Sequence, residues 1–190
     1  MRFQATPIAG LTLISLEPRQ DERGFFARAV CRDEFAAAGL SANFVQSNMS
    51  YNRTRGIVRG LHYQTGQHAE VKLVRCIQGA VFDVAVDLRP DSATFLGWFG
   101  VELSAENRLA LYIPKGFAHG YQALTDDAEL FYQVSTAYCG PAERSVRFDE
   151  PRVGIAWPLP ITQVSPKDLA TAFLKDIDLP CLLASADTQI

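Results

Sequence analysis

Hydrophobic and polar residues alternate with a period of two along much of the chain. In the clearest stretch, VFDVAVDL at 81–88, one face is wholly apolar and the other carries Asp83 and Asp87. Shorter runs of the same kind, separated by Gly, Pro, Asn or Asp, occupy 11–16, 25–30, 71–77, 97–103, 109–113 and 129–137. Because a period of two is that of a strand, the chain is predicted to be mainly β.

One segment has the pattern of a helix instead. In CRDEFAAAGL at 31–40, Asp33 is placed to charge or cap the start of the helix and Gly39 to end it. A shorter helical turn is predicted near Lys167–Leu174. That turn lies in a proline-punctuated stretch, 157–180, which is typical of segments that wrap around a core.

Many short, evenly spaced strands with one or two short helices favour a double-sheet antiparallel jelly-roll barrel, whose interior can hold a ligand. The 190 residues contain no internal repeat, linker or low-complexity stretch. A single jelly-roll domain is therefore predicted over residues 1–180. Residues 181–190 are predicted to be a frayed C-terminal tail.

Composition narrows the class of protein. The chain is 48% hydrophobic and 21% charged, close to the average of globular proteins, and its net charge is -3 with acids and bases interspersed. Without a basic stripe, nucleic-acid binding is not expected. No apolar run is long enough for a signal peptide or a membrane span, so a cytoplasmic protein is predicted.

Cysteine spacing gives no metal motif. Cys31, Cys76, Cys139 and Cys181 are scattered and form no CxxC pair, so neither a zinc site nor a disulfide framework is predicted. They are expected to be thiols in the core or on the surface.

Two of the three histidines lie among glycines and aromatic residues: His62 in RGLHYQ and His119 in IPKGFAHGY. Glycine lets a backbone approach a ligand closely, although a structural role remains open for each histidine. A metal site would need both of them together with His68 or Glu70, and the usual HxH spacing is missing. No metal is predicted.

A catalytic reading requires partners for His62. Lys72 alternates with apolar residues in VKLVRC, and Tyr132 lies in the alternating run ELFYQVSTAY with Tyr138 six residues later. An inward-facing lysine can stabilise negative charge and an inward-facing tyrosine can donate a proton. A solvated lysine and core tyrosines are the alternatives.

Eight motifs occur in order from about residue 5 to residue 175. They are DERGFFAR (21–28), QSNMSYN (46–52), RGLHYQ (59–64), EVKLVRC (70–76), GAVFDVAVDLRPDS (79–92), LSAEN (103–107), IPKGFAHGY (113–121) and SPKD (165–168). Together they resemble the dTDP-4-dehydrorhamnose 3,5-epimerase family. The resemblance implies a cupin-like jelly roll, a homodimer, a nucleotide-diphosphate sugar as substrate and no cofactor.

The resemblance also implies catalytic roles. His62 would remove a proton beside the ketone of a 4-keto-6-deoxy sugar, and Asp168 would orient its imidazole, with Asp83 as the second candidate for that task. Lys72 would stabilise the enolate, because a positive charge acts strongly in a water-poor cavity. Tyr132 would return a proton from the opposite face, which inversion requires.

Other positions match residues that bind the substrate in the family. Arg23 and Arg59 correspond to arginines on the pyrophosphate, which forked guanidinium groups suit, and Tyr138 to an aromatic that stacks on the base. The remaining predicted substrate contacts are Gln46, Ser47, Asn48, His119, Glu143 and Lys167. For the arginines, surface salt bridges are the alternative.

Two positions depart from the family pattern. Arg28 stands where dTDP-using members commonly have a glutamate that accepts a hydrogen bond from thymine. Since cytosine offers acceptors, a preference for a CDP sugar is a hypothesis to test. Cys139 stands where many relatives have a second aromatic residue.

Three readings compete with a 3,5-epimerase. The same catalytic set could invert C3 alone or C5 alone. A non-catalytic barrel that binds a sugar nucleotide would not need the complete set of His62, Lys72, Tyr132 and Asp168. A metal-dependent cupin would need bound metal for activity.

Overall fold

The computed structural model describes residues 1–175 and 182–183. Its strands are β1 Arg2–Ala5, β2 Thr12–Ser15, β3 Arg19–Asp21, β4 Gly24–Phe26, β5 Gln46–Asn52, β6 Val58–Gln64, β7 Lys72–Gln78, β8 Ala80–Asp87, β9 Trp98–Ser104, β10 Ala110–Ile113, β11 Phe117–Ala123, β12 Ala128–Val134 and β13 Glu143–Ser145. The α-helices are α1 Arg32–Ala37 and α2 Pro166–Leu169, and short 3₁₀ turns occupy Gly66–His68 and Gly140–Ala142.

Two antiparallel sheets form the barrel. The six-stranded sheet has the order β1-β2-β10-β7-β12-β5, and the five-stranded sheet has the order β13-β6-β11-β8-β9. The hairpin β3–β4 forms a separate small sheet. The prediction of a mainly β, double-sheet jelly roll with few short helices is confirmed.

Strand β8 shows why both faces of a strand can be apolar here. Val81 and Ala85 contribute to the core between the two sheets, whereas Val84 and Val86 contribute to a second core on the outer face of the five-stranded sheet. Side chains of the C-terminal stretch, such as Trp157 and Leu174, cover that outer face. The stretch therefore wraps the barrel as predicted from its prolines.

Helix α1 closes the outer face of the six-stranded sheet. Phe35 is fully buried there, edge-on to Phe3 with 5.2 Å between ring centroids, and it packs in a cluster with Leu73 of β7. The helix is shorter than the predicted span 31–40. Asp33 does not cap it, because Cys31 is the N-cap and makes no side-chain capping bond.

Several other boundaries also differ from the prediction. The run at 25–30 ends as a strand at Phe26, and the helical turn near Lys167–Leu174 is confined to Pro166–Leu169. Strands β5, β6 and β11 had no alternating signal of their own. Polar side chains or glycine occupy most inward positions of β5 and β6. In β11 the inward row is broken by His119 and the outward row by Gly120, so neither face is continuously apolar. The predicted tail 181–190 lies, apart from residues 182–183, outside the described residues. So does Cys181, while Cys31, Cys76 and Cys139 are free thiols.

No helix in the described part of the chain is long and apolar enough to cross a membrane.

Strands β6 and β11 approach each other so closely that glycine is required between them. A Cβ built on Gly120 would lie 2.6 Å from the carbonyl oxygen of Arg59 and 2.7 Å from Cδ2 of Leu61. The two strands carry His62 and His119, which are paired in the ladder. This contact therefore sets the spacing of the two histidines.

Gly120→Ala should lower the free energy of unfolding by about 1–3 kcal/mol, because backbone atoms cannot move aside as a flexible side chain can. Urea denaturation would measure the loss. Gly140→Ala is the matched control, since the nearest atom to its added Cβ is 3.5 Å away. Equal stability of the two variants would contradict the close contact.

Candidate active site

A cavity of about 340 Å³ opens between the two sheets. This volume is within the usual range of small-molecule sites. Its lining residues come from both sheets and from the segments that follow β12: Gln46, Asn48, His62, Tyr63, Gln64, Glu70, Lys72, Tyr132, Val134, Tyr138 and Glu143. Most of the lining is polar, which is unusual for the interior of a barrel.

His62 enters the cavity from the five-stranded sheet and is held by a buried carboxylate. Its Nε2 lies 2.6 Å from Oδ1 of Asp168, whose side chain is 3% exposed. The other oxygen, Oδ2, accepts the N–H of Gly60 at 3.3 Å. Ser165 caps α2 by accepting the N–H of Asp168, so the carboxylate is fixed before it meets the imidazole.

The charge of Asp168 is stabilised by these contacts. Burial raises the pKa of the Asp168 carboxyl, but the hydrogen bond and positive charge of His62, with the N–H of Gly60, bring the pKa below its ordinary value. A carboxylate in this position fixes the tautomer of a histidine and stabilises its protonated form. The pair can therefore accept a proton from a ligand.

The six-stranded sheet supplies the groups that face His62. Tyr132 pairs with Val74 in the ladder between β12 and β7, and the next pair on the same face is Val134 with Lys72. Tyr132 and Lys72 therefore sit diagonally on the inner face. The Nζ of Lys72 is buried and donates to the carbonyl oxygen of His62 at 3.2 Å, which shows how close the two sheets come.

The phenol of Tyr132 is kept protonated by its surroundings. Burial raises the pKa of Tyr132, and the nearby Tyr121 and the carboxylate of Glu70 raise it further, while Arg59 opposes them. A neutral phenol is a proton donor, so this position suits the return of a proton to a ligand.

A second histidine–aspartate pair lies beside the first. His119 Nε2 is 2.9 Å from Oδ2 of Asp83, and both side chains are buried. Asp83 was the second candidate for orienting His62, and the structure assigns it to His119 instead. Its Oδ1 has no hydrogen-bond partner among the described residues. His119 itself lies next to His62 in the ladder, close to the cavity.

Three predicted substrate contacts form one cluster at the rim of the cavity. Glu143 Oε2 accepts from the hydroxyl of Tyr138 at 2.9 Å and from Nζ of Lys167 at 2.6 Å. Burial raises the pKa of Glu143, but the two donors bring it below its ordinary value. Tyr138 is 62% exposed, so its ring is open to a ligand.

Strand β5 divides its predicted contacts between two faces. Gln46 and Asn48 line the cavity and are joined by a hydrogen bond of 2.8 Å. Ser47 lies between them and is exposed on the outer face, because successive side chains of a strand alternate. The structure therefore does not bring Ser47 into this cavity.

Arg59 lies at the far end of the inward-facing row of β5. Its guanidinium donates to Oδ1 of Asn52 and to the carbonyl oxygen of Tyr51, both at 2.9 Å. At the other end of the row, the side chain of Gln46 accepts the N–H of Tyr138. The row spans roughly 20 Å at the rise of a strand. Arg59 and Tyr138 thus mark the two ends of an elongated polar surface.

Arg23 and Arg28 are not brought to the cavity. Arg23 belongs to the β3–β4 hairpin, where its side chain is 87% exposed and pairs with Asp21 at 2.6 Å. Arg28 pairs with Glu34 of α1 at 2.5 Å. The hairpin lies on the outer side of the six-stranded sheet, where Phe25 contacts Arg108. The prediction placed both arginines at the substrate, and within one chain the sheet separates them from it.

Sequence reasoning missed two polar residues that line the cavity, Gln64 and Glu70. Glu70 had been considered only as a possible metal ligand. Its Oε1 instead lies 3.2 Å from Nζ of Lys72, and Gln64 donates to its Oε2 at 2.6 Å. The available signal was its spacing, two residues before Lys72 on the same face. Within residues 1–175 and 182–183, no three His, Cys, Asp or Glu side chains are grouped as metal ligands.

A jelly roll that encloses a His–Asp pair, an ammonium and a protonated phenol is typical of enzymes that move protons on carbon. The family model for dTDP-4-dehydrorhamnose 3,5-epimerase matches residues 5–176. The chain therefore belongs to the dTDP-4-dehydrorhamnose 3,5-epimerase family and is an isomerase.

Individual relatives agree with this assignment. The dTDP-4-dehydrorhamnose 3,5-epimerase of Shigella flexneri is 45% identical over 83% of this chain and 87% of its own length. A dTDP-4-dehydrorhamnose 3-epimerase of Streptomyces niveus is 38% identical over 88% of this chain and 81% of its own. The dTDP-6-deoxy-D-glucose-3,5-epimerase of Legionella pneumophila, solved with dTDP-4-keto-L-rhamnose, is 41% identical with a TM-score of 0.87, covering 94% and 96% of the two chains.

Asp168→Asn should lower the free energy of unfolding by about 1–2 kcal/mol at neutral pH, because a charge-assisted hydrogen bond is lost. The folded-state pKa of Asp168 lies below its ordinary value, so its contribution is present above that ordinary value and is lost as the pH falls through the folded-state pKa. The gap between wild type and variant should therefore narrow in acid. Urea denaturation at pH 7 and pH 3 measures it.

Asp91→Asn makes the same chemical change at an exposed position and serves as the control. A gap for Asp168→Asn that widens as the pH falls would contradict the assignment of a stabilised charge.

Proposed function

We propose that this enzyme epimerises C3 and C5 of dTDP-4-dehydro-6-deoxy-D-glucose and so forms dTDP-4-dehydro-L-rhamnose. The observation that carries the proposal is the placement of His62 and Tyr132 on the two sheets that face each other across one cavity. Inversion requires removal of a proton from one side of the sugar ring and its return from the other. Two groups on facing sheets can meet that requirement.

The chemistry proceeds in two proton transfers at each carbon. His62 takes the proton from the carbon beside the ketone, and the electron pair of the C–H bond moves onto the ketone oxygen to form an enolate. The ammonium of Lys72 stabilises that oxygen. Tyr132 then gives its proton to the opposite face of the same carbon, and the enolate returns to the ketone.

Proton transfer of this kind needs no cofactor. The ketone already present in the substrate supplies the electron sink, so no hydride is moved and no redox step occurs. We further propose that the enzyme acts in the cytoplasm. Support comes from Cys31, Cys76 and Cys139, which are free thiols and fit a reducing compartment.

The nucleotide is proposed to lie along the polar row of β5. Arg59 at one end can make forked hydrogen bonds to phosphate oxygens, and Tyr138 at the other can stack on a flat ring. The CDP hypothesis rested on Arg28, whose guanidinium is paired with Glu34 of the same chain. Since the relatives named above are dTDP-sugar enzymes, dTDP is the nucleotide proposed here.

A single-centre epimerase is the second candidate. The relative from Streptomyces niveus that is named a 3-epimerase is similar over 88% of this chain, so this fold accommodates that outcome as well. His62, Lys72 and Tyr132 would have the same roles, but the bound sugar would present only C3 or only C5 to them.

In deuterated water, the wild type should exchange hydrogen for deuterium at both C3 and C5 of dTDP-4-keto-6-deoxyglucose. Proton NMR follows each position separately. His62→Ala should slow exchange at both carbons by at least about 10³-fold, since a general base contributes factors of this size. Tyr132→Phe should keep exchange but lose inversion.

His68→Ala is the matched control, because His68 is the third histidine and does not line the cavity. Exchange at one carbon only would identify a single-centre epimerase. Equal or faster turnover of the CDP analogue would overturn the assignment of dTDP. Full activity of His62→Ala would overturn the mechanism.

We also propose that the enzyme is a homodimer whose partner completes the site. The outer face of edge strand β5 exposes Met49 (61%) and Tyr51 (47%), with Val45 (66%) beside them. Clustered apolar side chains on a surface mark interaction sites. Arg23 cannot reach its own cavity past the sheet, so the Arg23 guanidinium of a second copy would join Arg59 at the phosphates.

Mixed dimers test this arrangement. Arg23→Ala and His62→Ala chains should each be nearly inactive alone. Refolded together in equal amounts, about a quarter of all sites should be active, because half of the dimers are mixed and one site of each then has both residues. Light scattering should give twice the chain mass. If Arg23 acts in its own chain, mixing restores no activity.

A further inference from the structure

Glu70 is almost enclosed between two cavity residues. Its carboxylate is 10% exposed, as is the side chain of Lys72. One oxygen lies 3.2 Å from Nζ of Lys72, and the other accepts the amide of Gln64 at 2.6 Å. Both oxygens are therefore engaged, and the carboxylate has a single orientation.

We propose that Glu70 is a positioning residue that holds the Lys72 ammonium at the ketone oxygen. Through Gln64, Glu70 is also connected to the backbone at Cys139, directly after Tyr138 at the rim. The proposal rests on the function proposed above for Lys72. It adds a residue that does not contact the reacting carbons and acts through its neighbours.

The amide of Gln64 can satisfy its two neighbours in one orientation only. Its Nε2 faces the carboxylate of Glu70, which can only accept, while its Oε1 faces the N–H of Cys139 at 2.6 Å, which can only donate. Turning the amide over would set donor against donor and acceptor against acceptor. Glu70 thus fixes Gln64, and Gln64 fixes the backbone directly after Tyr138.

The charge of Glu70 matters as much as its position. Burying an ammonium without a partner is costly, and a carboxylate in contact offsets that cost. An ammonium has three N–H donors. Among the described residues, Glu70 and the carbonyl oxygen of His62 occupy two of them. The third is left for a ligand in the cavity. The same negative charge helps to raise the pKa of Tyr132.

Glu70→Gln tests the proposal. A glutamine there must turn an N–H toward either Lys72 or the amide nitrogen of Gln64, so one contact is replaced by a repulsion. We expect kcat to fall about 10–100-fold while the dissociation constant for dTDP changes by less than about threefold, because the loss falls on charge stabilisation rather than on nucleotide binding. Glu102→Gln, at an exposed position of β9, is the matched control.

The pH profile separates positioning from a merely structural role. Removing the carboxylate removes one cause of the raised pKa of Tyr132, so the high-pH limb of kcat should move to lower pH. The other groups that face this region are Lys72 from the six-stranded sheet and four residues from the five-stranded sheet: Arg59, His62, Tyr121 and Glu143. All of them are kept in the variant. An unmoved high-pH limb would overturn the proposal whether or not kcat falls.

Two further variants keep the test decisive if Glu70→Gln does not fold. Glu70→Asp keeps the charge but is one methylene shorter, so it should retain the wild-type pH profile and lose kcat. Gln64→Leu should raise KM more than it lowers kcat, because it removes the link to the backbone after Tyr138 but leaves the ion pair of Glu70 with Lys72 in place. Wild-type kcat in Glu70→Asp would overturn the positioning role. Lack of exchange by the wild type would instead refute the proposed function.

Discussion

The interior of this barrel depends on one constraint: a titratable group inside a closed β fold must have a partner. His62 meets Asp168 at 2.6 Å, His119 meets Asp83 at 2.9 Å, and Lys72 meets Glu70 at 3.2 Å. Burial of an unpaired charge costs several kcal/mol, and in each pair the partner offsets the cost of burying the inward-facing residue. His62 and Lys72, two of the catalytic groups proposed here, are thus also groups that need their partners in order to be buried.

The pairs come from different layers of the structure, which ties the site to the whole fold. Lys72 and Tyr132 belong to the six-stranded sheet and His62 to the five-stranded sheet, so the distance between sheets sets the width of the cavity. Asp168 comes from α2, in the stretch that wraps the outer face. Packing of that stretch against the barrel is therefore a condition for orienting His62. Stability and chemistry share these contacts.

Prediction from sequence succeeded where alternation was strong. The runs at 71–77, 81–88 and 97–103 correspond to β7, β8 and β9 within one residue at each end. It failed at β6 and β11, where glycines and histidines interrupt the apolar rows that alternation requires. Of the predicted substrate contacts, Gln46, Asn48, Tyr138 and Glu143 line the cavity, whereas Ser47, Arg23 and Arg28 do not. Ser47 faces away from the cavity, and a motif carries no information about which face a residue occupies.

The sequence by itself determined the class of fold, the family and the residues able to carry the chemistry, because strand periodicity and motif order are local properties of the chain. Only the tertiary structure decided which groups meet. Asp168 rather than Asp83 reaches His62, and the arginines of the hairpin stay outside their own barrel. Such arrangements either bring together residues about 100 positions apart, as with His62 and Asp168, or keep a predicted site residue away from the site. They follow from sheet register and wrapping, which no local pattern encodes.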